Sequence, residues 1–260
     1  RLITSANLST NDGKPGLMGT YYRNKTLKSS ILKKPLIRVD KKLNWVTGGG
    51  WGNNEAQYYT NDPENVRIKN GKLIIEALKK DFYGSNYTSS RIKTKKSWKY
   101  GRFEIRAKLP RGIGTWAAFW GLPTEWKYGN WPNSGEIDVL EHVGFEEGHI
   151  VSSVHNIAHH GNLSKSDQTK YVIAKDVTNS FNDYVLEWDE KEIKTFINGK
   201  LIFSYPKNDQ PWERWPFDEK FHFILNKAVG GNWGGLKGID DTAFPTKMEI
   251  EHFRVYKRET

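Results

Sequence analysis

Three carboxylates lie close together in one otherwise apolar stretch of the sequence. Residues 134–142 read SGEIDVLEH, which places Glu136, Asp138 and Glu141 in one short segment. Carboxyl groups this close repel one another when all are ionised, so the pKa of at least one of them must rise. One protonated and one ionised carboxyl group are the pair that cleaves a glycosidic bond. We therefore take these three acids as candidate catalytic residues with glycosidase chemistry.

A regular β-strand would not bring all three acids to one face, because successive side chains point to opposite sides. Glu136 and Asp138 would share a face, whereas Glu141 is an odd number of residues from both. A β-bulge between Asp138 and Glu141 inserts one residue and returns Glu141 to the first face. The alternative is an exposed edge strand with ordinary surface acids. We disfavour it because the apolar residues between the acids need burial on the opposite face.

The segments around these acids are predicted to be strands. Phe103, Ile105, Ala107 and Leu109 alternate with charged residues, which is the pattern of a half-buried strand. β-Branched and aromatic residues mark further strands at 72–78, 184–188, 193–197, 201–205, 221–225 and 248–256.

The connections between these strands are rich in Gly and Pro, and no window sustains a helical period. Asn198-Gly199 separates two of the strands and predicts a hairpin with a type I′ turn, because both residues tolerate a positive φ. Strands without crossover helices favour two antiparallel sheets packed face to face. We therefore expect an all-β protein, a β-sandwich or jelly roll.

The chain has 11 tryptophans, and several of them stand beside glycines. We predict loop positions for Trp51, Trp116, Trp126, Trp131 and Trp233. Exposing a large apolar indole to water is unfavourable, which suggests a binding role for such a residue. Its flat apolar face suits stacking on a sugar ring. The alternative for each tryptophan is a place in the core of the sandwich.

The composition narrows the class of protein. The 260 residues are 37% hydrophobic and 27% charged, which is enough for a sizeable core. Cysteine is absent, which excludes disulfides, and no run approaches the about 20 apolar residues that span a bilayer. A net charge of +10 would suit a nucleic acid, an anionic polysaccharide or simply a well-solvated surface. No nucleic-acid-binding motif is present, so we do not expect nucleic-acid binding. The lack of a long apolar run likewise leads us to expect no membrane insertion.

Several motifs, in order along roughly residues 45–257, resemble glycoside hydrolase family 16 and its laminarinase-like branch, whose acidic motif is E-x-D-x-x-E. The motifs are GWGNNE at 50–55, YGRFE at 100–104, LPRG at 109–112, WAAFW at 116–120, WP at 131–132, ILN at 224–226 and GGNW at 230–233. Several independent matches are more specific than the acidic motif alone.

The resemblance implies a β-jelly roll with a concave open cleft and retaining endo-hydrolysis of β-linked glycans without a cofactor. It implies that Glu136 is the nucleophile, that Glu141 is the general acid/base and that Asp138 assists the nucleophile. The substrate-binding residues that it implies are Asn54, Arg91, Trp116, Trp120, Trp131, His155, Asn226 and Trp233.

The residues around Glu141 and His155 are most similar to those of β-1,3- and mixed-linkage β-1,3/1,4-glucanases. Glucans such as laminarin or lichenan are therefore the expected substrates. One alternative is a galactan of the agar, porphyran or carrageenan kind, since a charge of +10 would attract a polyanion. A second alternative is a non-catalytic glycan-binding lectin, which would have kept the tryptophans and lost the acids.

The chain departs from the family near both ends. Glu251 stands where many relatives have a calcium-binding Asp, which leaves a structural calcium near Glu251 open, and Lys227 replaces an aliphatic residue. Residues 1–45 are predicted to be edge strands or a remnant of a carbohydrate-binding module, ahead of a catalytic domain over 46–260. The first residues lack the apolar segment of a signal peptide. We expect a monomer that is secreted, periplasmic or at the cell surface, with its signal removed.

Overall fold

The computed structural model describes residues 2–3, 20–23, 52–158 and 169–257. Within these ranges the chain forms two β-sheets and one short 3-10 helix, Asp241–Ala243. The prediction of an all-β sandwich is therefore confirmed. None of the helical structure in these ranges has the length and apolar character needed to cross a membrane.

The smaller sheet has six strands. They are β7 (Arg91–Lys93), β9 (Thr115–Pro123), β10 (Glu136–Val143), β11 (His149–His155), β12 (Thr169–Ile173) and β16 (Phe221–Val229). Their order across the sheet is β12-β11-β10-β9-β16-β7, and all neighbours are antiparallel. The acidic motif thus lies on a strand near the middle of this sheet.

The remaining strands form the larger sheet. They are β1 (Leu2–Ile3), β2 (Thr20–Arg23), β3 (Gln57–Tyr59), β4 (Val66–Lys69), β5 (Lys72–Phe82), β6 (Ser85–Ser89), β8 (Gly101–Lys108), β13 (Asn182–Trp188), β14 (Glu192–Ile197), β15 (Lys200–Pro206) and β17 (Thr246–Lys257). Two pairings, β3 with β6 and β2 with β17, are parallel, which corrects the expectation of purely antiparallel sheets. Neither pair is joined by the tight turn that enforces antiparallel pairing.

Aromatic side chains fill the space between the sheets. Phe103 of β8 and Phe223 of β16 are buried with ring centroids 4.3 Å apart. Phe119 of β9 and Phe253 of β17 make a similar contact at 5.8 Å. Because Phe119 and Phe223 lie on the inner face of the smaller sheet, alternate residues on its strands point to the opposite, outer face.

The predicted hairpin is confirmed, since Asn198 and Gly199 have φ values of 49° and 79° and connect paired strands. The sequence patterns missed β9 and β11, and they also missed the shorter strands β3, β4, β6, β7 and β12. Trp116 lies within β9 and not in a loop as predicted. The strand was missed because residues 115–123 are apolar on both faces and show no alternation. Trp51 lies outside the described residues.

The first part of the chain contributes a short strand to the larger sheet. β2 runs parallel to the end of β17, with Tyr22 opposite Tyr256. Apart from β1 and β2, residues 1–51 lie outside the described residues. The division between residues 1–45 and 46–260 therefore stays a prediction.

Candidate active site

β10 carries the bulge that its sequence predicts. Asp138 pairs with Trp120 of β9 and Glu141 pairs with Ala118, so three steps along β10 match two steps along β9. Trp120 and Ala118 share a face, and therefore Asp138 and Glu141 share it too. The pairing with β11 shifts at the same place. The bulge thus brings Glu136, Asp138 and Glu141 together on the outer face of the smaller sheet.

β11 supplies partners for two of these acids. Glu136 lies opposite His155, and Asp138 lies opposite Ser153. Ser153 Oγ donates a hydrogen bond to Asp138 Oδ2 at 2.8 Å, and His155 Nε2 lies 3.1 Å from the same oxygen. Asp138 is only 2% exposed, so these contacts satisfy a carboxylate that water hardly reaches.

Burial and mutual repulsion shift the ionisation of the cluster. Burial, followed by the negative charge of Asp138, raises the pKa of Glu141 to about 8. The same two causes raise the pKa of Glu136 well above its usual range. Burial alone would lower the pKa of His155, but the hydrogen bond to Asp138 and the nearby negative charges raise it to about 9. At neutral pH Glu141 therefore holds a proton and His155 is a cation.

Two indole N–H groups hold Glu136 and Glu141 in place. Trp131 Nε1 donates to Glu136 Oε2 at 2.6 Å, and Trp116 Nε1 donates to Glu141 Oε1 at 3.1 Å. A hydrogen bond to a carboxylate stabilises its charged form. Each carboxyl group thus has a fixed orientation and a donor that stabilises it when it loses its proton.

A chain of contacts links β7, β9 and β16 beside the acids. The Arg91 guanidinium lies over the Trp120 ring, with Cζ 4.6 Å from the ring centroid. Trp120 Nε1 donates to Asn226 Oδ1 at 2.7 Å, and Asn226 Nδ2 donates to the Tyr59 hydroxyl at 3.1 Å. Tyr59 in turn donates to Glu55 Oε2 at 3.1 Å. Three of the predicted substrate-binding residues are therefore held in one network.

Two further predicted residues lie in loops next to this face. Asn54 adopts a φ of 54°, and its Nδ2 donates to Asn232 Oδ1 at 2.8 Å. Trp233 packs edge to face on Trp116, with ring centroids 5.6 Å apart. Trp116 and Trp131 thus contact the acids directly, whereas Asn54 and Trp233 are connected to neighbouring loop and strand residues. Substrate binding by these residues stays a prediction.

Sequence reasoning missed several residues that support the site. Gln57 and Tyr59 share one face of β3, and Glu55, two residues before the strand, accepts hydrogen bonds from both. Their spacing of two residues was the available signal. Ser153, the partner of Asp138, had no signal of its own, because its role depends on the pairing of β10 with β11.

Two groups of side chains bear on metal binding. In the described ranges, Glu136, Asp138 and His155 each offer a ligand atom within 4.8 Å of the others, but a protonated His155 already supplies the cation there. Near the C-terminus, Arg106 Nε donates to Glu251 Oε2 at 2.9 Å. This carboxylate is therefore already paired with a guanidinium, and a calcium ion near Glu251 stays a prediction.

Comparison with known proteins agrees with this geometry. Residues 53–251 match the model of the glycosyl hydrolases family 16. A beta-glucanase from Rhodothermus marinus is 44% identical over 222 residues, covering 82% of this chain and 77% of the relative. The X-ray structure of the laminarinase from Rhodothermus marinus has a TM-score of 0.80 at 43% identity, covering 83% of this chain and 90% of that chain.

A second, longer relative is also similar in sequence to this chain. Glucan endo-1,3-beta-glucosidase A1 from Niallia circulans is 38% identical over 232 residues, covering 81% of this chain. The match covers 33% of that relative, so this chain spans about a third of its length. The matched region includes the bulged strand, its three acids and both tryptophans that donate to them. The chain is a glycoside hydrolase and belongs to glycosyl hydrolase family 16.

Proposed function

We propose that this chain hydrolyses internal β-1,3 or mixed β-1,3/1,4 bonds of glucans such as laminarin or lichenan, with retention of anomeric configuration. The observation that carries the proposal is the bulge in β10, because it puts a protonated Glu141 on the same face as Glu136. The 44% identical relative is a beta-glucanase, and the similar structure is a laminarinase. These relatives favour a β-glucan over a galactan.

In the first step, Glu136 attacks the anomeric carbon of the sugar. The bond to the leaving oxygen breaks while Glu141 transfers its proton to that oxygen. The product is a covalent glycosyl ester on Glu136. The ionised form that attacks is stabilised by the Trp131 N–H and by the cationic His155.

In the second step, water replaces the departed sugar. Glu141, now ionised, removes a proton from the water as the oxygen attacks the anomeric carbon and the ester bond breaks. Glu136 and Glu141 thereby return to their starting states. Asp138, held by Ser153 and His155, lies beside Glu136 on the same face of β10. Two inversions at one carbon give net retention.

The test is hydrolysis of a panel of glycans by the wild-type chain. Laminarin, barley mixed-linkage glucan, agarose, porphyran and carrageenan are incubated separately, and products are identified by mass. Proton NMR of freshly cleaved glucan identifies which anomer of the product appears first. We expect oligosaccharides from the two glucans, released first as the β-anomer. Products from a galactan alone would show that the substrate is a galactan and not a β-glucan. An initial α-anomer would exclude the double-displacement mechanism.

A matched pair of variants tests the nucleophile. Glu136→Gln keeps the shape of the side chain but cannot attack, so we expect loss of hydrolysis with oligosaccharide binding and melting temperature retained. Glu190→Gln, at an exposed turn position, should leave activity unchanged. Glucan binding by the wild-type chain without any cleavage would favour the lectin alternative.

We also propose that the enzyme acts as a monomer outside the cytoplasm. A polymeric glucan does not cross a membrane, and a single chain supplies all three acids of the site. Light scattering coupled to size exclusion tests the first statement. Fractionation of cells that produce the protein tests the second, and a cytoplasmic location would contradict it.

A further inference from the structure

Six residues, one from each strand of the smaller sheet, form a continuous row of cross-strand partners on the outer face. From β7 to β12 they are Arg91, Asn226, Ala118, Glu141, Val151 and Tyr171. Neighbouring strands lie about 4.8 Å apart, so the row extends about 24 Å across the sheet. A polysaccharide that crosses the strands over Glu141 would meet Arg91 on one side and Tyr171 on the other.

Tyr171 is an exposed aromatic residue at the far end of this row. It lies on β12, the edge strand, and is 65% exposed. Its ring stacks on His149 of β11, with centroids 5.5 Å apart and planes inclined by 23°. His149 is held in turn, since its Nδ1 lies 3.5 Å from Glu146 Oε2. The stack therefore orients the phenol ring and leaves much of it open to solvent.

The position of Tyr171 relative to Glu141 indicates which sugars it would meet. Two strand spacings, about 10 Å, separate the two residues along the row. Arg91 lies on the other side of Glu141, and the resemblance to the family implies that it hydrogen-bonds the sugars retained on the nucleophile. Sugars on the Tyr171 side are therefore those that leave with the proton from Glu141.

We propose that Tyr171, supported by His149, is a stacking site for a pyranose ring in the leaving part of a bound β-glucan. The inference rests on the proposed function and extends it to the acceptor side of the cleft. A large exposed aromatic side chain needs a reason, and its flat face suits the apolar face of a sugar ring. Tyr171 contributes to binding and takes no part in the proton transfers.

The experiment compares the wild-type chain with Tyr171→Ala, Tyr171→Phe and a control, Tyr83→Ala. Tyr83 is 83% exposed on the turn between β5 and β6 of the larger sheet. The values of kcat/KM are measured on laminarin and on an aryl β-laminaribioside, whose leaving group carries no further sugar. Transfer of the glycosyl group to added laminaribiose gives a second readout of acceptor binding.

We expect Tyr171→Ala to lower kcat/KM on laminarin by about 2- to 10-fold and to reduce transfer to laminaribiose. The aryl substrate should be cleaved at the wild-type rate, and Tyr171→Phe and Tyr83→Ala should resemble the wild type. An unchanged rate on laminarin, or an equal loss on both substrates, would overturn this inference alone. A wild-type chain that cleaves neither substrate would overturn the proposed function with it.

Discussion

His155 Nε2 lies 3.1 Å from Asp138 Oδ2, and these two side chains form the charged centre of the site. Burial would lower the pKa of His155, yet the contact with Asp138 raises it to about 9. Burial, and then the charge of Asp138, raise the pKa of Glu141 to about 8, while His155 acts in the opposite direction. One buried carboxylate therefore helps to raise the pKa of both the histidine and the proton donor.

Asp138→Asn should shift the pH dependence of the reaction. Glu141 must be protonated to act, so activity falls as pH rises through its pKa. Removing the charge of Asp138 lowers the pKa of Glu141, and the loss of charge on His155 offsets this only in part. We expect the alkaline limb of kcat/KM to move to lower pH by up to about one unit. We also expect kcat/KM at the optimum to fall by about 10- to 100-fold.

Ser153→Ala is the matched control for this prediction. It removes one neutral hydrogen bond to Asp138 and leaves the carboxylate charge in place. The alkaline limb should therefore stay where it is in the wild type, whatever the change in maximal rate. An alkaline limb that does not move in Asp138→Asn would show that Asp138 does not set the pKa of Glu141.

Trp233→Ala should weaken substrate binding more than it weakens the fold. Trp233 is half-buried and packs edge to face on Trp116 at 5.6 Å, so it extends an indole surface beside Glu141. Loss of a stacking platform should raise KM for laminarin by about 2- to 10-fold. Tyr83→Ala, which removes an 83% exposed ring from the turn between β5 and β6 of the larger sheet, is the control and should leave KM unchanged. A large drop in melting temperature would instead identify Trp233 as a core residue.

The bulge could be predicted from the sequence, whereas the partners of the acids could not. Three acids spaced by apolar residues can share a face only if one residue is inserted, and this argument is local. Ser153 contacts Asp138 because β11 pairs with β10 in one particular register, which depends on the whole sheet. His155 was found by the family resemblance, because one histidine in an apolar strand has no distinctive spacing.

Tyr59→Phe should impair binding by releasing Asn226. The Tyr59 hydroxyl accepts from Asn226 Nδ2, whose carbonyl oxygen accepts from Trp120. Without the hydroxyl, the buried amide of Asn226 loses a partner, which costs about 1–3 kcal/mol. We expect KM for glucan to rise by about 5- to 30-fold with a smaller change in kcat.

Tyr184→Phe makes the same chemical change elsewhere. Tyr184 is fully buried on β13 of the larger sheet, and its hydroxyl has no hydrogen-bond partner among the described residues. Removing this hydroxyl should leave KM unchanged and should not lower stability. If Tyr59→Phe had kinetics as close to wild type as Tyr184→Phe, the network would not position Asn226.

Lys227→Met should stabilise the fold at neutral pH. Lys227 is fully buried on β16, and its Nζ lies 5.2 Å from the centroid of the Phe244 ring with no hydrogen-bond partner in the part of the chain described. Burial lowers the pKa of this amine well below its usual value. Met fills a similar volume without a polar atom. We expect the free energy of unfolding at pH 7 to rise by about 1–3 kcal/mol, measured by denaturant titration.

The pH dependence of stability distinguishes this explanation from simple repacking. Since the folded pKa of Lys227 is depressed, the unfolded chain binds a proton that the folded chain does not. The destabilisation is therefore fully present below the folded pKa and disappears as pH rises to the unfolded value, near 10.5. The advantage of Lys227→Met over the wild type should shrink between pH 7 and pH 10, whereas Lys220→Met, at an exposed loop position, should show no such trend. A constant advantage across this range would mean that the folded chain keeps Lys227 protonated.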